Sequence, residues 1–286
     1  MLYASTIQLL RFKFSFFLMP IFWFALSQTD RIATTHAMLM FIVLHVLIYP
    51  ASNGYNSYMD RDTESIGGIK KPLMPTVQLF YITIVMDVLA VLLAMYVSWF
   101  SACCVLAFIG ASRAYSYRGI RLKKYPIISF FVTAIFQGGL VYVLVYHSCD
   151  SSLPIALPLL PFVASTLLVA SFYPLTQIYQ HKQDGADGVT TLSMILGYKG
   201  TFIFSASLFF LVNICLAVFF YSQLAPTYFF IFAASTIPVL LYFCWWFAKV
   251  LKNNGAANFV NTMRMNVIAS ICTNAGFILI LLIEKF

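Results

Sequence analysis

Runs of roughly 20 apolar residues recur along the chain, the length a helix needs to cross a bilayer. They fall near 12–28, 36–58, 77–98, 100–117, 126–147, 154–180, 201–222, 227–250 and 265–283. Inside hydrocarbon a backbone must satisfy its own hydrogen bonds, so an open chain of such runs can only span as helices. The pattern predicts an all-α fold: a polytopic membrane bundle of about nine transmembrane helices, with residues 1–286 forming a single integral-membrane domain. Only 9% of residues are charged, against about a quarter in a soluble domain, which excludes soluble enzymes and nucleic-acid binders. The break between the third and fourth runs is expected at Trp99-Phe100-Ser101. The first run lacks the early basic stretch and small-residue cleavage site of a signal peptide and is expected to stay as a span.

Charge asymmetry then sets the orientation. With nine spans, 15 of the 17 basic residues fall on the side of the N-terminus, all except Arg31 and Lys285. The positive-inside bias places that side in the cytoplasm, and a bacterial cytoplasmic membrane is the expected setting. Six scattered cysteines without a C-x-x-C pair argue against a disulfide or zinc framework. Prolines 20, 50, 158, 161, 174 and 238 lie inside the runs, where kinked helices around a central cavity or ordinary packing both account for them.

An internal repeat, about 36–64 and 160–188, organises the polar residues. Tyr49, Pro50, Asn53, Tyr55, Asn56 and Asp60 align without a gap on Tyr173, Pro174, Gln177, Tyr179, Gln180 and Asp184. Steps of 4, 3 and 4 put Tyr49, Asn53, Asn56 and Asp60 on one helix face, and likewise Tyr173, Gln177, Gln180 and Asp184. Glu64 continues the first stripe. Four spans separate the copies, so both acidic ends emerge on the same side.

Five of the nine acids sit in these two places: Asp60, Asp62, Glu64, Asp184 and Asp187. Opposed carboxylates repel unless a cation lies between them, and oxygen donors with amide neighbours suit Mg²⁺. Because Mg²⁺ completes its shell with water and phosphate oxygens, a phosphate or diphosphate is the natural third party. The alternative is acidic loop residues paired with nearby lysines and arginines. A cationic run follows the fourth span, with Arg113, Tyr115, Arg118, Arg121, Lys123 and Lys124, and Lys70-Lys71 follows the first acidic cluster. Such groups can grip phosphate oxygens, or simply touch lipid headgroups.

The stretch Asn56-Ser57-Tyr58-Met59-Asp60-Arg61-Asp62-Thr63-Glu64 resembles the first acidic motif, N-D-x-x-D-x-x-x-D, of the UbiA family of intramembrane prenyltransferases. Lys71-Pro72-Leu73 is similar to that family's R-P-L, and Tyr115-Ser116 through Arg121-Leu122-Lys123 to its Y-S…R-L-K loop. Asp184 through Leu192 and Gly197 resembles its D-x-x-x-G-x-x-T-L…G. Four departures stand out. Ser57 replaces the Asp after Asn56, Glu64 replaces a later Asp of the first motif, Gln180 replaces the leading Asp of the second, and Asp187 stands one position before the place of a third.

The resemblance implies a bundle with a central cavity capped by the two acidic loops. There Mg²⁺ holds an isoprenyl diphosphate, whose prenyl group passes to a lipophilic or aromatic acceptor within the bilayer. By that resemblance Asn56, Asp60, Glu64, Gln180, Asp184 and Asp187 are the expected metal ligands. Asp60, Asp184, Lys71 and Arg121 are the expected catalytic groups, and Asn53, Tyr115, Lys123 and Gln177 bind substrate. Three rival readings remain: a terpene cyclase on the same fold, a non-catalytic member, and a membrane transporter, which would also show repeats and midplane polar groups. His45 either faces the cavity or is a buried, hydrogen-bonded histidine; His181 is expected in a solvated loop. Asp87 stands alone inside a span with no partner evident from sequence.

Overall fold

The computed structural model describes residues 1–150 and 157–285; positions 154–156 of the sixth expected run lie outside the described residues. Every described run is helical, and no strand forms among the described residues. In chain order the helices are α1 (Ala4–Ser27), α2 (Thr34–Asp60), α3 (Val77–Val97), α4 (Trp99–Ser116), α5 (Pro126–Cys149) and α6 (Leu159–Gln177). They are followed by a short α7 (His181–Ala186), α8 (Leu192–Ser222), α9 (Pro226–Ser235), α10 (Ile237–Lys252) and α11 (Phe259–Lys285).

Among the described residues seven of these helices are long and apolar enough to cross a membrane. An eighth span is the pair α9 and α10, bent by 41° where Thr236 precedes Pro238. The remaining expected span, α4, is 18 residues long but carries Ser101, Ser112, Arg113 and Ser116, and its composition alone does not qualify it. The break before α4 falls at Ser98, whose backbone is extended and whose Oγ accepts the Ser101 N–H as an N-cap.

Neighbouring helices close a ring: α1 packs on α5 and α11, α2 on α3, α3 on α4, α4 on α5, α5 on α6, α6 on α8, and α9 on both α8 and α11. Helices α5 and α6 approach closely. A methyl group added at Gly138 would stand 2.4 Å from the Ser165 carbonyl oxygen, so the two backbones touch only because that position has no side chain. Large apolar side chains face outward on the ring, Tyr96 74% and Phe210 67% exposed. So much apolar surface calls for lipid rather than water, and the chain is an integral membrane protein.

Three helices are locally distorted beside the ring's interior. Between Ile42 and Ile48 α2 widens into a π-helix, ending just before Pro50, which has no N–H to offer the preceding turn. A second π segment, Ile135–Gly139, interrupts α5. α1 breaks at Arg11, which adopts the left-handed conformation (φ 50°), and continues as a 3₁₀ segment from Phe12 to Leu18.

Candidate functional site

Inside the ring lies a cavity of about 290 Å³. Its acidic end is lined by Arg11, Asn56, Asp60, Asp62, Lys123, Gln180 and Asp184; farther in come Asn53, Tyr115, Tyr173 and Gln177. Its walls continue as Phe17, Ile21, Phe108, Phe136, Leu168 and Phe172, broken by Gln137, Asn266, Ser270 and Thr273.

The first acidic arm is the end of α2. Helical spacing turns Asn53, Asn56 and Asp60 inward together. The Asn56 amide donates to Asp60 Oδ2 at 2.8 Å and to Ser116 Oγ at 3.1 Å, tying α2 to α4. Arg61 is left-handed (φ 54°) and ends the helix, so the chain reverses and Asp62 also lines the cavity, where it accepts a hydrogen bond from Gln183. Glu64 does not follow. It is exposed and borders a separate surface pocket with Lys70, Asn258 and Asn261. Lys71 is exposed and outside the cavity lining.

The second arm departs from the expected single stripe. α6 ends at Gln177; a turn carries residues 178–180, and Asp184 belongs to the separate α7. The repeat therefore breaks at different registers in its two copies, because here the backbone tightens, with Gln180 N–H donating to the Gln177 carbonyl. Tyr173, Gln177, Gln180 and Asp184 nevertheless all reach the cavity. In the first copy Tyr49 does not: it is buried between His45 and Phe108.

Between the arms comes the basic loop. Arg121 is left-handed (φ 51°) and starts a single 3₁₀ turn, Leu122–Lys124. That turn points Lys123 inward, its Nζ 2.6 Å from Asp60 Oδ1, and Lys124 outward over the Tyr125 ring. Lys123 and Asp60 form an ion pair whose side chains are only 10% and 6% exposed, without hydrogen-bond alignment at that oxygen. Arg121 instead clasps Asp187, donating to its carboxylate and, at 3.1 Å, to its backbone carbonyl; Arg118 lies 3.7 Å from the same carboxylate. Expected as diphosphate ligand and metal ligand, Arg121 and Asp187 are bound to one another outside the cavity lining.

Burial raises Asp62 to about 6 and Asp184 to about 7, with Asp60 adding repulsion to both and Lys123 offsetting part of it. Among the described residues no three acids, histidines or cysteines converge into a complete metal cage. The donor set still fits Mg²⁺, which prefers a few carboxylate and amide oxygens and fills its shell with water and phosphate. Asp60, Asp62, Asp184, Asn56 and Gln180 are such donors on one cavity, and their mutual repulsion leaves negative charge for a cation to compensate.

Sequence reasoning passed over Arg11 and left Asp62 without a role, although both line the cavity. It also missed Asn266, Ser270 and Thr273, whose steps of 4 and 3 along α11 carry the same stripe signal as the repeat. His45 is buried with neither ring nitrogen hydrogen-bonded, packed against Phe22, Phe41 and Tyr49. His181 is half-buried, stacked on Tyr198 and 2.8 Å from Ser193 Oγ, rather than solvated. Asp87 has a partner: Arg113 from α4, through a hydrogen bond of 2.9 Å from Nε and a second, shorter one.

The same arrangement of helices occurs in known proteins. A homologue from Aeropyrum pernix K1, solved in its apo form, superposes with a TM-score of 0.73 at 17% identity, covering 94% of this chain and 98% of the other. A UbiA homologue from Archaeoglobus fulgidus bound to GPP and Mg²⁺ gives 0.68 at 18% identity, with 97% and 99% covered. A digeranylgeranylglyceryl phosphate synthase gives 0.63 at 17%, with 97% and 96% covered. These identities speak for the fold alone, and no curated protein matches the sequence. The model of the UbiA prenyltransferase family matches residues 17–268, which takes in both acidic arms, the basic loop and the aromatic walls. A membrane bundle that keeps this family's sequence pattern over most of its length is a member of it, and the chain belongs to the UbiA prenyltransferases.

Proposed function

We propose that this protein transfers an isoprenyl group from an isoprenyl diphosphate to a lipophilic or aromatic acceptor inside the membrane, with Mg²⁺ at Asp60, Asp62, Asp184, Asn56 and Gln180. One observation carries this reading: a single cavity joins a mouth of carboxylates and a lysine to an interior of aromatic and aliphatic walls. A diphosphate fits the first half and an isoprenyl chain the second. Bound Mg²⁺ would supply the positive charge that stabilises diphosphate as it leaves. The ligand-bound A. fulgidus homologue, with GPP and Mg²⁺, supports the same pairing.

The chain's own residues set the geometry. Lys123, held against Asp60, places a cation at the cavity mouth, where an ammonium can follow the leaving phosphate oxygens. Tyr115 and Tyr173 both line the cavity and share a hydrogen bond of 2.7 Å between their hydroxyls, which sets two aromatic side chains between the acids and the apolar interior. Phe17, Phe108, Phe136 and Phe172 exclude water from an allylic cation. Gln137, Asn266, Ser270 and Thr273 are polar groups available to hold an acceptor at the inner end. The basic excess on the loop side supports an acidic mouth that opens at the cytoplasmic face.

The test is release of diphosphate and formation of prenylated product by purified protein with Mg²⁺ and a panel of isoprenyl diphosphates and acceptors. Asp60→Asn and Asp184→Asn should each lower turnover at least about a hundredfold, the scale of losing one preorganised charge at a reacting centre, with the bundle still folded. Full turnover in both variants would end the proposal.

A further inference from the structure

His181 lies outside the cavity lining, yet it opens α7, the short helix that carries Asp184, and it directly follows Gln180. A helix of six residues is not stable by itself, so whatever holds α7 decides where those two side chains stand. On one side Gln183 ties it across the mouth to Asp62. On the other, His181 ties it to α8. The imidazole lies flat on the Tyr198 ring, centroids 5.0 Å apart and planes 10° from parallel, and its Nε2 is 2.8 Å from Ser193 Oγ. Tyr198 directly follows the break in α8 at Gly197 (φ 64°).

Ser193 is fully buried and also meets the cavity wall. Its N–H donates to Gln177 Oε1 at 3.4 Å, which commits that oxygen and leaves the amide N–H groups for the cavity that Gln177 lines. Its Oγ lies 3.1 Å from Thr201 Oγ1, and the Thr201 hydroxyl donates to the Gly197 carbonyl at 2.7 Å. A hydroxyl has one proton to give. With that of Thr201 spent on Gly197, Ser193 donates to Thr201, and the Ser193 oxygen is left to accept from His181 Nε2–H. The donors therefore run one way, from the imidazole to the backbone at the break in α8, and a side chain at 181 without an N–H would leave a buried acceptor unpaired. We infer that His181 is a positioning residue of the metal site: through Ser193 it fixes α7 and the turn before it, so that Gln180 and Asp184 stand opposite Asp60 and Asp62. The inference rests on the proposed prenyl-transfer reading and adds to it the support behind the second acidic arm.

Mn²⁺, which suits the same oxygen donors as Mg²⁺, is the probe; electron paramagnetic resonance counts the free ion over the purified full chain in detergent. His181→Leu, which keeps bulk and loses the donor, should weaken Mn²⁺ binding about tenfold, the lower end of what the outer partners of metal ligands contribute. His181→Gln, which keeps an N–H within reach of Ser193, should stay within about threefold of wild type. Ser193→Ala cuts the same tie from the other end and serves if His181→Leu does not fold. The double variant should be no weaker than the weaker single, because both remove one contact. A side chain that merely packs would lower the unfolding midpoint and leave the Mn²⁺ affinity of the folded chain unmoved. Affinities within about twofold of wild type in His181→Leu and Ser193→Ala therefore overturn the inference, as does His181→Gln falling as far as His181→Leu, or a double variant whose loss is the product of the two singles. If the wild-type chain itself binds no Mn²⁺, the prenyl-transfer reading falls first; wild-type binding with unmoved variants removes this inference alone.

Discussion

Asp87 and Arg113 form an ion pair between α3 and α4, with side chains 15% and 22% exposed. Two unit charges about 4 Å apart attract by about 4 kcal/mol at an effective dielectric constant near 20. Desolvation offsets much of that in the intact pair, but Asp87→Leu leaves Arg113 charged and unpaired, which costs about 3–5 kcal/mol in a fully buried site. Here the loss is smaller. Arg113 keeps its hydrogen bonds to Thr83 Oγ1 at 3.2 Å and its place 3.9 Å over the Tyr55 ring, a cation–π contact of about 1 kcal/mol. The expected destabilisation is therefore about 2–4 kcal/mol. Arg113→Leu should cost a similar amount by stranding Asp87, whereas the double variant should recover at least half of the summed loss, because a buried pair replaced whole by apolar groups is nearly neutral. Reversible unfolding in mixed micelles measures all three variants. Neither residue lines the cavity, so KM for the isoprenyl diphosphate should not move. Strictly additive single and double effects would refute the reasoning, since they would mean the two charges do not depend on each other.

Asp62→Asn should cut turnover at least about tenfold and weaken Mg²⁺ activation, whereas Glu64→Gln should stay within about twofold, because only Asp62 reaches the cavity; equal losses in steady-state assays would contradict the arrangement. Burial holds Asp62 at about 6 and Asp184 at about 7, so the folded state binds more protons than the unfolded one between about pH 4 and pH 7, and metal-free stability should fall as pH rises through that window. Mg²⁺ should accordingly raise Tm more at pH 8 than at pH 5, and an equal rise at both would argue against these acids as ligands. Gly138→Ala should destabilise the bundle by about 1–3 kcal/mol or more, since its methyl would strike the Ser165 carbonyl; an unchanged unfolding midpoint would show that α5 and α6 can separate freely.

The fold's class was legible because transfer into hydrocarbon acts on each run of residues independently of its neighbours. Nine apolar runs and two aligned polar stripes were therefore enough to anticipate a helical membrane bundle, its cavity, and the gathering of Asn53, Asn56, Asp60, Gln177, Gln180 and Asp184 around it. Spacing could not anticipate where helices stop. Arg61 turns left-handed and brings Asp62 inward while Glu64 faces out, and the turn after Gln177 moves Asp184 onto its own helix.

Charge partnerships were equally hidden, because an ion pair depends on which helices meet. Arg121 and Asp187, Arg113 and Asp87, and the inward turn of Arg11 join residues 66, 26 and 42 positions apart or reach across the bundle to Asn53. From sequence these basic residues formed one cytoplasmic excess; in the folded chain some neutralise acids, one crosses into a span, and two stand at the cavity mouth. Local hydrophobicity and helical period thus determined what kind of molecule this is, while the meeting of distant helices decided which of its charges remain free to hold a ligand.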